Sequence, residues 1–210
     1  AVWANDGGDK VTRDEDRASN GININNSIWD GQKINLFGAK NEIVDFNLIL
    51  ESKDGASNIA VKFDSLIGPN GAEIKSSPAS TSSTGLFNWV NRDIELFYVR
   101  YLQIKGLSRL SYELYDERHI PKRFRMPKDK SSWNDRPDHD KFYPEIAVPL
   151  ELKPTFSVSA GENQSVWADI YIPKDKPNGI YKGNVIISEA GKNTKAIPVE
   201  LTVNNFALPD

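Results

Sequence analysis

The stretch Asn163 to Ile187, NQSVWADIYIPKDKPNGIYKGNVII, constrains the fold more than any other. Val166, Ala168, Ile170 and Ile172 fall on one face of an extended chain and Trp167, Asp169 and Tyr171 on the other, a period of two that belongs to a strand. Pro173 and Pro177 lack the N–H a central strand needs, and Asn178-Gly179 tolerates positive φ. A reversal is therefore expected there, with re-entry as Tyr181 to Ile187. A second turn, Ala190-Gly191-Lys192-Asn193, leads into alternating Ile197, Val199, Leu201 and Val203. The spacing predicts an antiparallel meander.

The same alternation runs upstream. Ile34 and Leu36, then Val44, Phe46, Leu48 and Leu50, then Ile59, Val61 and Phe63 each define one apolar face. The short link Lys53-Asp54-Gly55-Ala56 predicts that the last two of these strands form a hairpin or a neighbouring pair. Asp93 to Ile104, DIELFYVRYLQI, is substantially apolar or aromatic on both faces and suits a central strand of a sandwich, or one packed against a neighbouring domain. Trp29, beside Ile28, fits core packing better than sugar stacking. Before it, Gly7-Gly8 and the Asn cluster read as loop, with Val11 in a short edge strand. The expectation is an all-β chain: one antiparallel β-sandwich, Ig-like or jelly-roll-like, spanning residues 1–210 with about eight to twelve strands.

Several function classes are disfavoured. A net charge of −3 gives no long-range pull on a polyanion, so nucleic acid is not an expected partner. There is no apolar run long enough for a membrane span, and no cysteine for a disulfide framework or a thiolate metal site. Asp14-Glu15-Asp16 are consecutive, not spaced as the alternating oxygen ligands of a calcium loop, and read as a solvated loop. No nucleophile elbow, phosphate loop or dinucleotide fingerprint occurs, and no cofactor is expected.

Two segments break the β pattern. Ile74 to Phe87 is Ser/Thr-rich and reads as a mobile loop. Ser108 to Phe142 is a long irregular loop or insertion holding both histidines. His119, His139, Asp138 and Asp140 offer imidazole and carboxylate, but without a recognised ligand spacing, so no metal is expected. As a sugar-contacting surface, Trp133 or Tyr143 would stack on a pyranose while Arg118, His119 and Asp138 supply hydrogen bonds. As an interface, the same loop would pack on a following domain or another protomer through Arg and Trp anchors. The interface reading is favoured.

A family resemblance gives these elements a context. The strand followed by PKDKPNGIYKG, then IPVELTV, then FALPD resembles the end of the N-terminal β-sandwich domain of glycoside hydrolase family 123 and its relatives. Tyr143-Pro144-Glu145 with Val148-Pro149-Leu150 resembles an upstream segment of that domain, with Glu145 where Asp is usual, and Gly38 to Glu42 resembles one of its opening strands. The resemblance covers Ile94 to Asp210 most closely. It implies a secreted bacterial protein, placed outside the cell, in the periplasm or on the surface, whose catalytic barrel follows the sandwich. The catalytic pair of that family lies in the barrel, so no catalytic residue carries over. The implied role is a non-catalytic accessory or scaffold domain of a carbohydrate-active protein, with the downstream catalytic domain and a glycan as partners. The alternatives are an independent carbohydrate-binding module and a cell-surface structural or protein-interaction sandwich.

Overall fold

A computed structural model describes residues 1–76, 80–81, 87–88, 92–107 and 138–210, with 80, 81, 87, 88, 107, 138 and 139 described through the backbone alone. The strands are β1 (Val2–Asn5), β2 (Ile34–Lys40), β3 (Glu42–Ser52), β4 (Ala56–Phe63), β5 (Leu66–Ile67), β6 (Glu73–Ile74), β7 (Ser80–Thr81), β8 (Phe87–Asn88), β9 (Ile94–Leu107), β10 (Asp138–Pro149), β11 (Phe156–Val158), β12 (Glu162–Ile172), β13 (Gly179–Ser188) and β14 (Lys195–Ala207). The fourteen among the described residues exceed the expected eight to twelve because β5 to β8 are two-residue pairings.

Two sheets face each other. The first runs β1-β3-β12-β9-β10 and is antiparallel throughout; the second runs β11-β4-β13-β14-β2 with β5 beside β13, and its β14–β2 pairing is parallel. Their inner faces are the apolar sets the alternation picked out. Val166, Ala168, Ile170 and Ile172 oppose Ile197, Val199, Leu201 and Val203 in one buried cluster that also holds Phe46, Leu48, Val61 and Phe63. Phe46 of the first sheet meets Phe63 of the second edge to face, with centroids 5.7 Å apart. Removal of each such side chain from water contributes about 1.5–3 kcal/mol. The fold is an all-β sandwich, as the pattern predicts.

The pairing differs from expectation in two places. β12 and β13 are not hairpin partners: β12 lies between β3 and β9, whereas β13 lies between β4 and β14. Only β13 and β14 form the predicted antiparallel pair. Likewise β3 and β4 sit in different sheets. Period-two alternation fixes which face is buried but not which neighbour supplies the hydrogen bonds. Both links have the reach to cross the roughly 10 Å between sheets, and crossing lets each apolar face oppose another.

Three smaller differences lie near the N-terminus and in β9 and β10. Val11 is buried but outside any strand, while the loop reading missed β1, whose Trp3 is sealed inside. Residues 138–142, read as the end of the irregular loop, are strand. β9 is interior in its sheet, but residues 102–106 are exposed, Leu102 and Ile104 among them. Most of Ile74 to Phe87, and residues 108–137, lie outside the described residues. Trp29 is in the core, as expected.

Candidate functional site

Arg118, His119 and Trp133 lie outside the described residues, and Asp138 is described only as the backbone that opens β10 opposite Leu107. Tyr143 is half-buried on β10, opposite Leu102 of β9. Alternation places Leu102, Ile104 and Tyr143 on one face of the β9–β10 ribbon, which continues the core-facing side of the first sheet beyond the sandwich. Leu102 and Ile104 are more than a third exposed on this face, which Lys141, the partner of Ile104, shares.

The outer face of the first sheet divides into two halves. Over one half the N-terminal segment is laid down and bonded. Asn163 donates through Nδ2 to the carbonyls of Thr12 and Glu15, both at 2.7 Å, and its N–H donates to Arg13 O at 2.9 Å. Arg13 donates its N–H to Phe142 O and stacks its guanidinium 3.7 Å above the Phe142 ring. Glu51 is the anchor. Its Oε1 accepts from Trp3 Nε1 at 2.6 Å and Arg17 N at 3.1 Å, and its Oε2 accepts from Ser19 N at 2.7 Å. Burial alone would raise this carboxyl, but the N–H donors of Ser19, Trp3 and Arg17 outweigh burial and hold it below the usual carboxylate range.

The other half carries acidic and aromatic groups. Asp169 of β12 is the cross-strand neighbour of Asp45 on β3 and of Glu95 on β9, so three carboxylates cross the sheet in one row at about 5 Å intervals. Burial first, then the Asp169 and Asp6 charges, pushes Asp45 up. Glu95 is also raised, by burial first; Arg92 opposes the shift, and the Asp169 and Glu151 charges add to it. Trp167, Phe97 and Tyr171 share this outward face, and Trp167 donates Nε1–H to Asp169 Oδ1 at 2.7 Å. Such a row accepts hydrogen bonds and disfavours further negative charge. Sequence reading could not find it, because its members are scattered along the chain and only register unites them.

Elsewhere a cleft of about 410 Å³ opens between β4 and β9, floored by Val61, Phe63, Ile94 and Leu150. Arg92 and Glu151 pair in its wall, and Arg92 Nε donates to Ile94 O at 3.1 Å. Among the described residues, no group of three or more His, Cys, Asp or Glu side chains could hold a metal ion.

One end of the sandwich carries the β2–β3 turn, the 173–178 link and the last residues. Asn41, at φ 62°, organises it. Its Oδ1 accepts from Tyr171 OH at 2.9 Å, and its Nδ2 donates to the carbonyls of Leu208 and Pro209, both at 3.2 Å. Leu208 N donates to Lys40 O at 2.8 Å, and Lys174 pairs with Asp210. Around this end Phe37 is 75% exposed, Ile43 60%, Ile180 48%, Phe206 59% and Leu208 38%.

No protein-family profile and no curated protein sequence matches the chain. Solved structures do. The major subunit of Myf fimbriae from Yersinia enterocolitica aligns over 83% of this chain and 95% of its own, at 11% identity and a TM-score of 0.35, too low to carry an argument. A family 123 glycoside hydrolase from Clostridium perfringens, described for glycolipid glycan hydrolysis, aligns over 100% of this chain at 14% identity and a TM-score of 0.65. The matched part is 28% of that enzyme's length. The likeness is one of fold: from end to end, this chain is built like a β-sandwich portion of a family 123 glycoside hydrolase.

Proposed function

We propose that this chain is a non-catalytic accessory domain that supports a carbohydrate-active protein exported from the bacterial cell. The observation that carries the reading is the likeness to the family 123 enzyme, which spans the whole of this chain while occupying 28% of the other. The motifs of the β12–β13 link and the final strand point the same way. In this reading the chemistry belongs to a downstream catalytic domain, and the sandwich supplies a rigid body against which that domain is held. The Ser108 to Phe142 segment, with Arg118, His119, Trp133, Asp138 and Tyr143, would border the substrate cleft or the domain contact.

The test is glycan binding and hydrolysis by this chain alone and by the polypeptide that contains it. The expected result is hydrolysis of a glycoside by the longer protein and neither saturable calorimetric binding nor turnover by the chain alone. Saturable binding by the chain alone that is lost in Trp133→Ala would make it an independent carbohydrate-binding module instead. A longer protein with no action on any glycan would overturn both readings.

A further inference from the structure

We propose that the side of the sandwich ringed, near the chain exit, by Phe37, Ile180, Phe206 and Leu208 is a docking face for the domain that follows in the same polypeptide, an inference that rests on the accessory-domain reading above. The first argument is concentration. Phe37 and Ile180 flank Thr202 in one cross-strand row on the outer face of the second sheet. Phe206 and Leu208 flank Ala207, which pairs with Lys40 of β2, whereas Ile43, the partner of Tyr171, belongs to the outer face of the first sheet. Four large apolar side chains are thus turned outward on one side beside the chain exit, a density that marks an interaction surface, whereas scattered exposed residues do not.

The second argument is the way the exit is held. The tail does not fray from β14: Leu208 donates to Lys40 O at 2.8 Å, Asn41 holds the carbonyls of Leu208 and Pro209, and Lys174 pairs with Asp210. A polypeptide continuing past Asp210 therefore starts at a fixed point beside the apolar ring. That tether gives the next domain a high effective concentration there, so a patch too small to hold a free partner suffices for a covalently linked one. The third argument is length: the structure that this chain matches end to end is more than three times longer, the match being 28% of it. A second copy of this chain fits less well, because a symmetric pair on this face would bring two chain exits together.

The experiment is amide hydrogen exchange on this chain alone and on the polypeptide that contains it, with Phe37→Ser/Ile180→Thr/Phe206→Ser prepared in both. Exchange in β2 and in residues 204–208 is expected to slow by about tenfold or more in the longer protein and to return to the isolated rate in its triple variant. Protection of Val166 to Ile172 stays constant as the fold control. Equal exchange in both contexts overturns the proposal, as does a natural polypeptide with no domain after this chain. So does protection that appears in the isolated chain with concentration, alongside a dimer mass by light scattering. Protection at the ring without glycan activity in the longer protein keeps the docking face and removes the carbohydrate reading. Glycan activity without protection does the reverse.

Discussion

Removing the Glu51 carboxylate is expected to release the N-terminal segment from the first sheet. Its two oxygens accept three N–H donors, from Trp3, Arg17 and Ser19, and the Trp3 indole is 1% exposed with no water to turn to. Each buried donor left without an acceptor costs about 1–3 kcal/mol, and the Arg17 and Ser19 amides can recover part of theirs by moving into solvent. Glu51→Ala is therefore expected to lose about 3–5 kcal/mol, and Glu51→Gln about 1–3 kcal/mol, because an amide NH₂ faces at least one of the same donors. Equilibrium urea unfolding followed by tryptophan fluorescence measures both. The pH dependence gives an independent check. A carboxyl held below its unfolded value contributes stability that is present above about pH 4.3 and is lost as pH falls through its folded pKa. The gap between wild type and Glu51→Gln should therefore narrow as pH drops below about 4.5. A loss under about 1 kcal/mol for Glu51→Ala, or a gap that stays constant with pH, would refute the reasoning.

Other substitutions probe the remaining contacts. Gly7 has φ +77° and lies so close to the Trp167 ring that a Cβ would overlap it, so Gly7→Ala should cost about 2–3 kcal/mol and shift the tryptophan emission; an unchanged denaturation midpoint would contradict the contact. Asp169→Asn removes a charge that raises both Asp45 and Glu95, so carboxyl NMR titration should find both nearer the ordinary range, with burial still holding them up. A raised carboxyl penalises the fold increasingly as pH climbs from its unfolded to its folded pKa and fully above the latter, so the variant should gain stability at neutral pH and not at pH 3. Tyr101 is pushed up to about 12 by burial, and its OH donates to Asn163 Oδ1 at 2.6 Å. Tyr101→Phe should lose about 1–2 kcal/mol below pH 10 and abolish the part of the alkaline destabilisation that runs from about pH 10 to 12; ultraviolet titration identifies the missing late phenol.

The inner faces were legible because burial imposes alternation directly on the sequence: every member of the Val166 to Ile172 and Ile197 to Val203 sets is buried. Partners were not legible. The Pro173 to Asn178 link has the residues of a tight reversal, yet it carries the chain across the core, and nothing local separates those outcomes. β1 was missed because four residues are too few to show a period, and Trp3 among them reads equally well as loop. The Asp45, Asp169 and Glu95 row depends on register between strands far apart in sequence, so no window along the chain contains it. Tyr143 was picked out for its ring, and its apolar surroundings on the ribbon come from Leu102 and Ile104, a strand away.

The parallel pairing of β2 with β14 sets an order of events during synthesis. β14 lies between β13 and β2, so the second sheet is completed only when residues 199–207 are available to Ile34–Lys40. The first sheet has the same dependence, since β12 separates β3 from β9. A nascent chain emerging from the ribosome therefore carries β2, β3 and β9 with open edges until residues 162–207 appear, and edges of that kind invite pairing with other chains. Closure joins positions more than 160 residues apart, which slows the search for the native pairing. The holding of the earlier strands until β14 arrives thus governs how long those edges stay open.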